Sequence, residues 1–236
     1  MTTTHHASSF QRGELVGALM LAALAVSAPS AWAETHLSYT VGGATDYVFR
    51  GVSQTNGDPF VFGSINLSKD AFYAGAGAEN VDFGNDIDLE YDLYAGWRPT
   101  FGAWQLDLGV VRYGYRNQPS GVDIDTIEYK LAAGRGFDAV SVGAALMYTT
   151  DYFGSGDSGT YAELNTKYAI NPRWSIGGVY GQQSVSGGSD YATWNVGISY
   201  VAAEHVVLDL RYHDTDAHEF GKNFEDRIVA ALSVSL

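Results

Sequence analysis

Beyond residue 33 the chain repeats one pattern almost to its end, apolar and polar positions alternating with a period of two, while no window holds apolar residues at helical spacing for long. In the last segment Ile228, Ala230, Leu232, Val234 and Leu236 share one face and Val229, Ala231, Ser233 and Ser235 the other. The same register appears in Trp104, Leu106, Leu108 and Val110, in Val140, Val142, Ala144, Leu146 and Tyr148, and in Trp194, Val196, Ile198 and Tyr200. The alternation predicts about twelve strands, near 36–50, 60–68, 72–81, 88–98, 104–115, 126–135, 140–149, 160–170, 174–183, 191–201, 206–214 and 226–236. Short turns, such as Lys69-Asp70 and Asn171-Pro172-Arg173, alternate with longer polar loops at 51–59, 82–87, 116–125, 150–159, 184–190 and 215–225. Short turns on one side and long loops on the other predict an all-β fold, a transmembrane antiparallel up-and-down β-barrel. Pro59, Pro99, Pro119 and Pro172 all lie in connections or at strand starts, where a missing N–H does no harm.

Alternation alone does not say whether the apolar face fills a core or meets lipid. Barrel diameter grows with strand number, and twelve strands enclose more space than side chains fill. Turning the apolar face outward resolves this, because lipid covers it, water fills the lumen, and closure pairs every backbone group. The opposite register carries Asp46, Arg50, Glu79, Glu90, Asp92, Arg98, Asp107, Glu128, Lys130, Glu163, Lys167, Asp209 and Arg211, which are costly against hydrocarbon and tolerable in a wet lumen. These thirteen are the expected pore-lining residues. On the outward register fall Tyr39, Tyr47, Phe49, Tyr91, Trp97, Trp104, Tyr148, Tyr168, Trp174, Tyr180, Trp194, Tyr200 and Tyr212, many near strand ends, as aromatic girdles require.

The first 33 residues read as a cleaved secretory signal: Arg12, an apolar run from Leu15 to Val26, then Ala31-Trp32-Ala33. That run is shorter than the roughly 20 residues a spanning helix needs. The barrel domain is then 34–236. No cysteine is present, so backbone pairing and burial must stabilise the fold. Thirteen basic against 27 acidic residues give a formal charge of −14, which argues against nucleic-acid binding. It suits loops facing a lipopolysaccharide surface rich in divalent ions.

The segment Thr45-Asp46-Tyr47-Val48-Phe49-Arg50-Gly51-Val52-Ser53-Gln54-Thr55, followed by Gly57-Asp58-Pro59, resembles the start of the TorF family of porins. Phe72-Tyr73-Ala74-Gly75, Asn80-Val81-Asp82-Phe83 and the stretch from Glu90 to Gly96 continue the likeness, which is most specific over 44–97. The resemblance implies an outer-membrane channel. Read physically, the segment is a first strand crossing into its loop, with Tyr47 and Phe49 toward the interface and Asp46 and Arg50 toward the lumen. The latter two are roughly 13 Å apart along a strand and each needs a partner of its own. Arg50 is either part of a charged constriction or a wall residue ion-paired near the loop.

Catalytic chemistry finds no footing. Of His36, His205, His213 and His218, none sits in a His-x-Ser strand pair, and His213 shares the lumen register of Asp209 and Arg211, so no enzyme is expected. Asp82, Asp86 and Asp88, Asp123 and Asp125, and His213, Asp214, Asp216 and His218 crowd three loops without the spacing of a calcium loop. They read as a solvated acidic rim, with no metal or cofactor expected. The expectation is an outer-membrane, porin-like channel for passive diffusion of small hydrophilic solutes. Its partners would be lipid and lipopolysaccharide, and monomers are favoured. Eight acidic against five basic residues in the lumen set imply a modest cation preference. The alternative is a non-conducting surface barrel that binds a ligand or partner through its loops.

Overall fold

The computed structural model describes residues 35–188 and 190–236; the expected signal segment, 1–33, lies outside the described residues. Twelve long strands follow one another: β1 (His36–Ala44), β2 (Phe60–Lys69), β3 (Phe72–Asn80), β4 (Leu89–Trp97), β5 (Trp104–Tyr115), β6 (Thr126–Phe137), β7 (Val140–Thr149), β8 (Gly159–Ala169), β9 (Trp174–Val185), β10 (Tyr191–Ala203), β11 (Val206–Thr215) and β12 (Arg227–Ser235). Each pairs antiparallel with its sequence neighbours, and β1 with β12 closes the barrel. The seam is continuous, since the Leu236 N–H donates to Tyr39 O and the Tyr39 N–H to Leu236 O. Asp70-Ala71 and Asp138-Ala139 are tight turns, and Asp70 and Asp138 take the left-handed conformation that such turns demand.

The apolar register faces outward. Leu108, Val142 and Leu232 are 41%, 36% and 46% exposed on the isolated chain, and Val61, Leu93, Leu131, Leu164, Val196 and Ile228 stand out likewise. The band that water would reject is the band lipid would cover. Trp97, Trp104, Tyr148, Tyr168, Trp174, Tyr180 and Tyr39 are exposed on the same side. Arg112 and Arg135 also lie on the outer register, near strand ends. Arg112 pairs with Asp125 and reaches the Tyr91 hydroxyl, while the Arg135 guanidinium lies 4.6 Å from the Phe137 ring centroid and 5.9 Å from that of Trp104. Aromatic faces there let the charge sit at the membrane boundary.

One expectation fails. The first strand ends at Ala44 instead of continuing to 50, and residues 45–59 form a loop folded back into the barrel. Tyr47 and Phe49, expected at the lipid interface, are inside it. Tyr47 is 1% exposed and stacks on Phe60 at 5.0 Å, and Phe49 packs edge-on against Tyr113 and Phe153. Asp46-Tyr47-Val48-Phe49 alternates as a strand does, but its apolar members pack on inward aromatics of the wall and not on lipid. Around them Val81, Ile87, Val111 and Tyr115 complete a buried cluster within the barrel.

Candidate functional site: the lumen and the loop inside it

The folded-in loop is built on a small hairpin, Val48–Phe49 pairing with Val52–Ser53 across a two-residue turn at Arg50-Gly51. Both turn residues have positive φ, 48° and 85°, the geometry that matches a hairpin's natural twist. Glycine is required at the second position for space as well, because a Cβ on Gly51 would lie 2.2 Å from Thr193 Oγ1 and 2.7 Å from Thr215 Cγ2. The turn thus presses its tip against β10 and β11.

The tip carries Arg50. Its Nη1 and Nη2 donate to the two Glu128 carboxylate oxygens at 2.8 and 2.6 Å, and Nη1 donates again to Gln183 Oε1 at 3.0 Å. Its guanidinium lies 4.4 Å from the Tyr161 ring centroid. The forked pair, with side chains 5% and 2% exposed, ties the loop to β6 and β9 at once. A second tie joins the loop base to β12. Asp46 accepts from Arg227 Nη1 at 2.8 Å and from the Ser53 and Thr55 hydroxyls at 2.7 and 2.9 Å. A third reaches β4, where the Tyr47 hydroxyl donates to Glu90 Oε1 at 3.0 Å. With Thr149, Gln183, Thr193 and Thr215 each 3% exposed or less, the long-loop end of the lumen is closely filled. A cavity of about 400 Å³ remains at the mouth between Asn56-Gly57 and residues 222–228.

Below this constriction the lumen changes character. Asp107 pairs with Lys130 at 2.7 Å and Arg98 at 3.2 Å, and accepts from the Tyr73 hydroxyl at 2.8 Å. On β10 and β11, Arg211 donates to Asp209 at 3.2 Å and to Asn195 at 2.7 Å, and Ser199 donates to Asp209 at 2.7 Å. Glu163 accepts from Asn165 at 3.3 Å. Lys167 makes no ion pair among the described residues and is partly exposed.

A barrel closed by neighbouring strands, apolar outside and charged within, is the architecture of outer-membrane channels, and solved structures agree. The KdgM porin superposes with a TM-score of 0.61 at 11% identity, over 84% of this chain and 99% of that one. A KdgM porin in complex with disordered oligogalacturonate gives 0.59 at 11%, over 86% and 99%, and the NanC porin 0.56 at 10%, over 85% and 99%. These are likenesses of fold. No curated protein matches the chain. A family model described as a bacterial protein of unknown function, Gcw_chp, matches residues 28–234. The chain belongs to the Gcw_chp family. The porin fold implied by the TorF resemblance is present in this Gcw_chp barrel, while the TorF name itself is carried by none of these matches.

The thirteen residues expected to line the pore divide between two places in the structure. Eleven lie on or directly beside the wall strands; Asp46 and Arg50 lie on the inner loop and reach the wall as ion-pair partners. Arg50 is therefore no wall residue, yet it is both ion-paired and part of the filled cross-section. Sequence reasoning missed Arg227, which shares the inward register of β12 with Val229 and Ser233, and missed the inward tyrosines 73, 113, 115 and 161. The inward Tyr73 and Tyr113 fall on the same parity as the charged Glu79 and Asp107 of their respective strands, a signal that position supplies and residue type conceals.

Proposed function

We propose that this Gcw_chp barrel is an outer-membrane channel for small hydrophilic solutes whose conductance is set by its own first loop. The observation that carries the reading is the Arg50–Glu128 tie, a loop-borne charge paired across the lumen with the far wall. The wide twelve-strand lumen supports a channel, and the hairpin supplies a constriction that the wall alone lacks. The resemblance of 44–97 to TorF porins points the same way, as does the porin fold. Selectivity follows from the lumen's residual charge. Asp46, Asp107, Glu128 and Asp209 are each matched by a basic partner, whereas Glu79, Glu90, Asp92 and Glu163 make no ion pair among the described residues and Lys167 is the one unpaired cation of the set. The excess is acidic, and the channel prefers cations.

The test is a planar bilayer. Purified protein should give discrete steps smaller than those of 16-stranded porins, and a salt gradient should give a cation-directed reversal potential that shrinks at high salt as charges are screened. The close filling of the loop end also favours a second reading, a non-conducting barrel that binds a ligand at its surface. Correct insertion with no conductance would select that reading.

A further inference from the structure

Glu79 and Glu90 stand directly opposite each other on β3 and β4, and Asp92 follows two residues along on the same inward face. Like charges in direct cross-strand register repel, so this hairpin face is destabilised unless something between the carboxylates compensates. The compensation is not a basic side chain, since no lysine, arginine or histidine forms an ion pair with any of the three among the described residues. Nor is it water at an open surface, since the three residues are 7%, 2% and 3% exposed. One oxygen of each carboxylate lies within 4.8 Å of one from each of the others. Two ligands on opposite sides of a calcium ion, each at about 2.3–2.6 Å, are separated by about that span.

An independent observation points to a ligand. Glu79 Oε1 and Asp92 Oδ1 are fully buried and accept no hydrogen bond. Buried polar atoms are nearly always paired, and an unpaired carboxylate oxygen in a dry site is among the costliest exceptions. Glu90, by contrast, is supplied by two tyrosines, accepting from the Tyr47 hydroxyl on Oε1 and from the Tyr115 hydroxyl, so the two orphaned oxygens belong to its neighbours Glu79 and Asp92. Three buried carboxylates with two orphaned oxygens have the donor chemistry of a hard cation, and calcium tolerates the irregular geometry that a strand pair imposes.

We infer that Glu79, Glu90 and Asp92 form a calcium-binding site in the lumen wall, beneath the first loop. Bidentate carboxylates and water can complete the 6–8 oxygens that calcium takes, and with the two charges of the ion the lumen set of eight acidic and five basic residues still stays acidic by one. The site is connected to the loop, because the Glu90 that binds the ion also accepts the Tyr47 hydroxyl. The sequence points to the exposed acidic loops if to any cation site, and the strand register places the site elsewhere.

Calcium titration of the detergent-folded full-length barrel by calorimetry tests this directly, with terbium luminescence excited through tyrosine as a second readout at the same site. The expected result is one ion per chain at an affinity on the order of 10⁻⁴–10⁻³ M or tighter. It should weaken by about tenfold or more in Glu79→Gln and in Asp92→Asn, as lost ligand charge dictates, and be unchanged in the loop variant Asp86→Asn. Heat-modifiable gel migration identifies variants that still form the barrel. Absence of binding by the wild-type barrel overturns the inference and assigns the compensation to protons. Binding that survives Glu79→Gln and Asp92→Asn but falls in Asp86→Asn overturns it too, and moves the ion to the loop rim.

Discussion

The two halves of the lumen carry the same kinds of residue and use them differently. At the long-loop end the ion pairs join segments far apart in sequence, Arg50 to Glu128 and Arg227 to Asp46, separated by 78 and 181 residues. At the short-turn end the pairs are local, Arg211 with Asp209 on one strand and Asp107 with Arg98 and Lys130 on or directly beside the adjoining strands β4 to β6, with Ser199 and Asn195 on β10 beside Asp209 and Arg211. Pairs of the first kind hold a movable segment in place, and pairs of the second kind trim the charge of a wall that backbone hydrogen bonds already hold. The difference teaches where conformational control can reside. Breaking a local pair leaves the ladder intact, whereas breaking a long-range one frees the loop.

The largest effect should come from Arg50→Ala. It leaves the Glu128 carboxylate buried and unpaired, and such a loss costs about 3–5 kcal/mol when the site cannot relax. Here the loop can relax, so the cost should appear as undocking of residues 45–58. We expect rapid protease cleavage within this segment in the variant and resistance in the wild type, with the barrel itself still heat-modifiable. Equal protection of both would show that the aromatic packing of Tyr47 and Phe49 holds the loop without its ion pair.

Asp209→Asn should do far less. The asparagine keeps a carbonyl oxygen for Ser199 and Arg211, and a typical hydrogen bond is worth about 1 kcal/mol net. Thermal unfolding should shift slightly and protease protection of the first loop should not change. A variant that exposed the loop would mean the two halves are mechanically coupled through the wall, contrary to the distinction drawn above.

Most of the fold was legible because strand facing has a period of exactly two residues and a twelve-strand barrel leaves one register no place but outward. Strands such as 104–115 and 140–149 coincide with their alternation to the residue. The inner loop was not legible for the same reason. Asp46-Tyr47-Val48-Phe49 alternates correctly for a strand, and nothing local distinguishes an aromatic that meets lipid from one that meets Phe60 and Tyr113 inside. Arg50-Gly51 was the available clue, a turn-forming pair in what otherwise reads as the end of a strand. Glu79, Glu90 and Asp92 fall on one face by alternation, but their closeness depends on the β3–β4 register, which places Glu79 against Glu90 and which alternation leaves open by steps of two.

Control of the channel by its first loop is tested most directly by single-channel recording on a barrel in which Val48 to Ser53 is replaced by a short glycine-serine turn, compared with the wild type in the same bilayer and salt. The account predicts larger unitary steps for the shortened loop, because the Arg50–Glu128 tie and the Phe49–Tyr113 contact are gone and the cross-section they fill is open. Unitary steps of equal size in the two proteins would contradict it.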